Sequence, residues 1–398
     1  MKLRKLHQLI VVLLIAAFSI SAISVDRLKV TISWLADPAR EGRRAGSSGA
    51  LSTAEYVGGK LREYGYAVET QEFSSNRRNV IGRWGKGVNY LVIGGHYDGQ
   101  GESFPSASDN AAGIAVVLEL ARELKEEQLP VSIVAIAFDD EEQGLNGSRY
   151  YVDHPLYPLE NAVAALVFDT LGRSFLDSPS WTLFVLGSEY SKELAGVVQK
   201  RKRPEMLVAG TDLIGPRSDF APFALKRIPY LFFTNGTHKD YHGEGDTPTR
   251  LDYTRLAQDA AIIAQIAKDT ARLSARPKYL PDPSYPPSET DAIEKQFAQA
   301  EKERKDLPEA YRLMFADLRA RIRTDKTREA PQLAVTALLA LATPRLSSYM
   351  LSYMLGPFYE GQNKRDIAIA VYEEASKWSD EATRKELEEK VRRLRTGG

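Results

Sequence analysis

Residues 131–144 read Val-Ser-Ile-Val-Ala-Ile-Ala-Phe-Asp-Asp-Glu-Glu-Gln-Gly. The first eight form a nearly unbroken apolar run, the pattern of a strand buried on both faces. The next four, Asp139, Asp140, Glu141 and Glu142, are consecutive carboxylates, which repel one another unless a cation sits among them. A doubly buried strand that delivers acids at its end argues for a helix-covered sheet with a ligand site along its strand ends.

The pattern repeats outward from there. Apolar runs at 79–84, 90–96, 162–168, 181–186 and 228–233 read as strands. Helical spacing occupies 51–63, 111–124, 189–200 and 253–273. The alternation predicts an α/β fold with a mixed, mostly parallel sheet and helices on both faces. Pro277, Pro281, Pro283, Pro286 and Pro287 then interrupt the chain, and such a stretch reads as a semi-rigid linker, placed at 275–288. Beyond it about 35% of residues are charged, against about 23% before it, so 289–398 is expected to be a separate all-helical region. One half of a helical hairpin, 361–378, has a repeat-like pattern, but repeat arrays need about three units. These helices are expected to pack as an appendage and are a candidate partner surface.

At the other end, Lys2, Arg4 and Lys5 precede an uncharged apolar run over 9–23. That describes a secretory signal peptide, residues 1–24. The run is short for a membrane span, which needs about 20 residues. The body of the chain, 25–274, is therefore expected to be exported to the periplasm or beyond the cell. The alternative is a membrane tether through an uncleaved signal anchor. Lys+Arg and Asp+Glu both number 53, which argues against a large basic nucleic-acid surface. With no cysteine, disulfides, thiolate nucleophiles and cysteine-ligated metals are excluded. Any metal must sit on the five histidines and the carboxylates.

Five segments between 96 and 246 carry chemistry. His96-Tyr97-Asp98 ends a strand, and a carboxylate two residues from a histidine can orient its ring. Ser108-Asp109-Asn110 precedes a helix, where such residues also serve as ordinary caps. The acids 139–142 and Asp169 end two further strands. Asp240-Tyr241-His242 comes last, followed by Asp246-Thr247-Pro248, which reads as a turn; His238 reads as a loop residue. Oxygen and imidazole donors without thiolate suit a catalytic Zn²⁺ pair. Such a pair needs one shared acid plus one His and one acid per metal. One glutamate is then spare beside a ligand, which is what a general base requires.

The stretches GGHYDG (94–99), SASDNAAGIAVVLELA (106–121), FDDEEQGLNGS (138–148), LVFDTLG (166–172), PRSDFAPF (216–223) and KDYHGEGDTP (239–248) resemble the di-zinc aminopeptidase family. Secreted bacterial leucyl-type aminopeptidases belong to it, and glutamate carboxypeptidases and glutaminyl cyclases are relatives. AREGRRAGSSG (39–49) also resembles the family's N-terminal part, and the resemblance spans about 26–273. It implies a zinc-exopeptidase fold, two Zn²⁺ per chain and peptide substrates with a free N-terminus. It implies that His96, Asp109 and Asp169 hold one zinc, and His242, Asp109 and Glu142 the other. Glu141 would be the general base, Asp98 would orient His96, and Tyr241 would stabilise the oxyanion. Arg217 and Asp219 would help position the substrate.

Rivals remain. Acylase-type metallopeptidases insert a further domain between the fourth and fifth ligands, and the 72 residues between Asp169 and His242 leave no room for one. A glutaminyl-cyclase-like or carboxypeptidase-like enzyme and a non-catalytic peptide-binding relative are the alternatives.

Overall fold

The computed structural model describes residues 23–102, 104–324 and 327–396. The expected signal peptide thus lies, up to residue 22, outside the described residues. Among the described residues no helix is long and apolar enough to cross a membrane. Ser24, at the expected cleavage point, caps the helix Val25–Leu35, and its amide donates to Glu119 Oε2 at 3.0 Å.

The described strands are β1 (Ala67–Ser74), β2 (Arg77–Trp84), β3 (Tyr90–His96), β4 (Ser132–Phe138), β5 (Ala162–Phe168), β6 (Leu183–Leu186), β7 (Met206–Ala209) and β8 (Tyr230–Thr234). They form one mixed sheet in the order β1-β2-β4-β3-β5-β8-β6-β7. Its centre, β4-β3-β5-β8, is parallel throughout. These four strands are buried along their whole length, as their apolar runs imply. β1 and β2 continue one side antiparallel, and β6 meets β8 antiparallel on the other. Strand β1 (AVETQEFS) escapes the sequence reading because only Gln71 of its eight residues is buried, so no apolar run marks it.

Helices cover both faces. Ala112–Leu124 and Tyr253–Ala271 pack against Leu91, Ile93, Leu166 and Phe233 on one side, and Val25–Leu35 lies across these two helices. Asn146–Asp153 and Phe220–Leu225 pack against Val92, Ile136, Val167 and Phe232 on the other. Each fully buried aliphatic side chain stabilises such a core by roughly 1.5–3 kcal/mol.

The C-terminal helices build their own core around Phe297, Met314, Phe315, Leu351, Tyr359 and Tyr372. That core is continuous with Phe175, Leu176 and Leu213 of the sheet region, so the two are docked. The proline-rich segment runs bound along the sheet region: the Leu280 amide donates to Tyr190 O at 2.7 Å and the Ser284 amide to Glu189 O at 2.8 Å. Tyr279 stacks on Tyr190 with ring centroids 5.0 Å apart. Arg328 clamps the junction, donating to both Asp212 oxygens at 2.7 and 2.9 Å, pairing with Glu289, and lying 3.6 Å from the Tyr285 ring centroid.

Candidate metal centre

Because β3, β4, β5 and β8 run parallel, the chain leaves them at one edge. His96 ends β3. Glu141 and Glu142 follow β4, Asp169 follows β5, and the connection after β8 leads to His242. Asp109 arrives from the start of the helix Ala112–Leu124. Its neighbour Asn110 fixes that start: Asn110 Nδ2 donates to Phe168 O at 2.8 Å, and the Gly113 amide donates to Asn110 Oδ1 at 3.0 Å. A Cβ on Gly95 would stand 2.5 Å from Phe168 O, and one on Gly113 would stand 2.1 Å from Asn110 Oδ1. Both glycines are therefore required for this close approach.

Asp109 lies between two imidazoles. Its Oδ1 is 3.2 Å from His96 Nε2 and its Oδ2 is 2.9 Å from His242 Nε2. His96 Nε2 is also 3.4 Å from Asp169 Oδ1, and His242 Nε2 is 3.2 Å from Glu142 Oε2. Ligand atoms of His96, Asp109 and Glu142 fall within 4.8 Å of one another, as do those of His96, Glu141 and Asp169.

Asp98 organises the edge from behind. Its Oδ1 and Oδ2 accept from the amides of Glu141 (3.0 Å) and Glu142 (3.3 Å). Its carbonyl oxygen lies 3.2 Å from His96 Nδ1, closer than its carboxylate at 3.5 Å. Of the four acids after β4 only two face the cluster. Asp139 accepts from the Arg78 amide at 3.0 Å, and Asp140 pairs with Arg77 at 3.4 Å.

Burial penalises every charge here, and the neighbours then decide. Burial opposes a charged His96, but Glu141, Asp169 and Asp109 outweigh it and raise its pKa well above the usual imidazole value. His242 rises to about 10 against burial, through Asp109 and Glu142. Asp109 is held far below the carboxylate range despite burial, by an imidazole on each oxygen. Burial and the neighbouring Asp109 push Glu142 up to about 7, and burial raises Glu141 well above its ordinary value.

The donor set fits a divalent metal. Glu142 Oε1 is buried without a hydrogen-bond donor. Buried carboxylates of this kind are costly unless a cation is held among them. Two imidazoles and hard carboxylates are the donors zinc takes when thiolate is absent.

Three further expectations have a place in the structure. Tyr241 stacks on His242 with ring centroids 3.9 Å apart, and burial beside the acids raises its phenol pKa, so it is a neutral donor. Asp219 is fully buried; burial and the nearby acids hold its carboxyl up at about 7. Arg217 is exposed, and no hydrogen bond or ion pair ties its side chain to the cluster.

Several residues escaped the sequence reading. Asp246 is more than a turn residue: it accepts from the Ser108 amide (3.0 Å), the Ser108 hydroxyl (2.8 Å) and the Asp109 amide (3.2 Å). With the Ser108 proton on Asp246, His238 Nε2, 2.7 Å from Ser108 Oγ, must donate. Burial pushes His238 down to about 4, so it is neutral. Arg43 is fully buried and donates to the carbonyls of Leu35, Tyr97, Pro105 and Ser106. Burial lowers its pKa to about 10, which leaves it charged beside Asp246, Asp98, Asp109 and Glu142. Its stretch stood out in the sequence only by resemblance.

The model of peptidase family M28 matches residues 79–267, which include every cluster residue. These residues are an M28 peptidase domain. The M28 region is similar to Aminopeptidase YwaD of Bacillus subtilis, 28% identical over 199 residues, across 47% of this chain and 42% of that protein. The chain spans about half the length of the curated relatives it matches. Its fold is that of the LapA aminopeptidase of Legionella pneumophila, with a TM-score of 0.56 at 21% identity over 64% of this chain and 72% of that one. Porphyromonas gingivalis glutaminyl cyclase shares it too, with a TM-score of 0.53 at 19% identity over 61% of this chain and 97% of that one.

Proposed function

We propose that the chain is a zinc-dependent aminopeptidase that hydrolyses the N-terminal residue from peptides with a free α-amine. The observation that carries this reading is Asp109 set between His96 and His242, with an acid beside each imidazole. In this reading His96, Asp109 and Asp169 hold one Zn²⁺, and His242, Asp109 and Glu142 hold a second. A bound zinc pair supplies Lewis acidity toward the scissile carbonyl and toward water.

The chain's own residues do the rest. Glu141 takes the proton of the attacking water at its carboxylate and passes it to the leaving amine. Its buried, acid-lined setting raises its proton affinity, as a general base near neutral pH requires. Asp98 holds Glu141, Glu142 and His96 in register. Tyr241 donates a hydrogen bond from its phenol to the oxyanion. The acids of the cluster take the substrate's ammonium group, which makes the enzyme an exopeptidase. Residues 25–274 form the catalytic unit, 275–288 the connector and 289–398 an accessory region, and the protein acts after export.

The test is a panel of aminoacyl-p-nitroanilides beside N-acetylated controls, with and without a chelator. Chelator-sensitive release from free-amine substrates alone supports the reading. Cleavage of blocked or carboxy-terminal substrates moves it to an acylase or carboxypeptidase. Cyclisation of N-terminal glutamine moves it to a cyclase. Two bound zincs with no turnover on any of these substrates overturn it.

A further inference from the structure

The helical region touches the connections that leave three of the site's strands. After β3, Phe104 carries the Arg345 guanidinium 5.1 Å from its ring centroid. Gln100, in the same connection between His96 and Asp109, donates to Glu142 Oε2 at 2.5 Å. After β5, Leu176 lies in the helical core, and its carbonyl accepts from Arg304 at 3.4 Å. After β8, Thr237 accepts from Thr343 Oγ1 at 2.8 Å, immediately before His238 and five residues before His242. The corner Thr343-Pro344-Arg345 therefore touches the connections that frame the cluster. It does so at two of the connections that bring in ligands.

The charges on the two sides of this rim are opposite. Inside it lie Glu141, Glu142, Asp109 and Asp169. On it stands Arg345, exposed, with no carboxylate paired to it among the described residues. A short free peptide has the matching pattern, an ammonium at one end and a carboxylate at the other. A guanidinium recognises a carboxylate through paired N–H donors.

We infer that Arg345 is a specificity-determining residue contributed by the helical region, and that it binds the C-terminal carboxylate of short peptides. This inference rests on the aminopeptidase reading and narrows its substrates to peptides of a few residues with a free C-terminus. Longer chains place amide bonds and bulk where the rim is walled by the 343–345 corner. The region beyond residue 288 then selects substrate length, and the M28 domain does the chemistry.

The experiment compares kcat/KM for short peptides with kcat/KM for the same peptides as C-terminal amides, on the full chain. The expected preference for the free acid is about tenfold, the size of a charge-assisted hydrogen bond. In Arg345→Glu the ratio should fall to one or below, with the change in KM and not in kcat. Arg345→Lys should restore part of it. Calorimetric binding of the free peptide and its amide to the Glu141→Gln variant reads the same discrimination without turnover. Equal rates and equal binding for acid and amide, or an unchanged ratio in Arg345→Glu, overturn the inference. Nitroanilide cleavage by the wild-type chain leaves the aminopeptidase reading standing in that case. Its absence, together with no peptide cleavage, brings both down.

Discussion

The sheet region and the helical region use the same ionisable side chains in opposite ways. In the helices, charges meet in pairs near the surface: Arg319 with Glu301 at 2.9 Å, Arg323 with Glu294 at 2.5 Å, Lys385 with Glu381 at 2.7 Å. At the strand ends of the sheet region, Asp109, Glu141, Glu142 and Asp169 are almost fully withdrawn from water and face one another. Among the described residues the positive groups beside them are two imidazoles and the buried Arg43. Exposed pairs cost little and contribute little. A buried group of like charges costs several kcal/mol and persists where something must be held. The helical region is the more highly charged of the two, but what separates their chemistry is the placement of charge.

The strongest way to break that contrast is to neutralise the base without changing its shape. Glu141→Gln should lower kcat by about 10²–10⁴-fold, the range for loss of a general base. Elemental analysis should still find metal, because Glu141 is the spare acid of the set. A variant that keeps wild-type turnover would remove Glu141 from this role. Asp109→Ala acts one level deeper. Saturating metal at about 1,000 times Kd stabilises a native state by about 4 kcal/mol, which in a domain of this size is a melting-temperature rise of roughly 10 °C. That rise should appear on loading the wild-type protein after chelation. It should be absent in Asp109→Ala. An equal rise in both would show that the shared carboxylate is not what holds the metal.

The two regions were also unequally legible. The buried parallel strands and the acids at their ends stand out in the sequence, because burial on both faces leaves an unbroken apolar run and a carboxylate after it is conspicuous. Strand β3 and strand β5 were delimited to the residue. What stayed hidden depends on contacts between distant segments. Asp246 looks like any Asp-Thr-Pro turn until Ser108 and Asp109 are brought onto it, 138 and 137 residues away in the chain. Arg43 looks like one of several surface arginines until four carbonyls close around it. Asp139 and Asp140 read as equals of Glu141 and Glu142, and only the turn of the chain after β4 sends the two pairs in different directions. The proline-rich segment read as a spacer because prolines exclude helix; that it lies along Glu189 and Tyr190 is set by tertiary packing.

A subtler test uses a buried acid of the sheet region that lies away from the cluster. Asp259 Oδ2 accepts from Trp181 Nε1 at 2.9 Å and from Asn235 Nδ2 at 2.8 Å. Burial pushes its carboxyl up to about 7. The folded protein keeps this proton to about pH 7, while the unfolded chain releases it near pH 4. Between those values the folded state binds more protons, so this group's contribution to stability is full below about pH 4 and is lost as pH rises through 7. The size is a few kcal/mol in order of magnitude. Asp259→Asn keeps an oxygen for both donors and removes the proton. Denaturant melts of the metal-loaded protein should therefore give a difference between wild type and variant that grows from pH 4 to pH 7. A difference that stays flat would mean that Asp259 ionises normally.

The smallest effects should come from the helical region, and there the gradient runs with burial. Arg328 is three-quarters covered and binds Asp212, Glu289 and the Tyr285 ring together. Arg328→Ala leaves two acids facing each other at the junction. It should cost about 2 kcal/mol, below the 3–5 kcal/mol of a fully buried pair, and it should loosen the helices before the sheet. Lys385 and Glu381 are 72% and 81% exposed, one turn apart on the last helix. Water already solvates both, and the two long side chains lose rotamer freedom in meeting. Lys385→Ala should cost about 0.5 kcal/mol or less, and added salt should erase even that. A cost for Lys385→Ala as large as that for Arg328→Ala would contradict the contrast between the regions, because a surface pair would then be acting as a buried one.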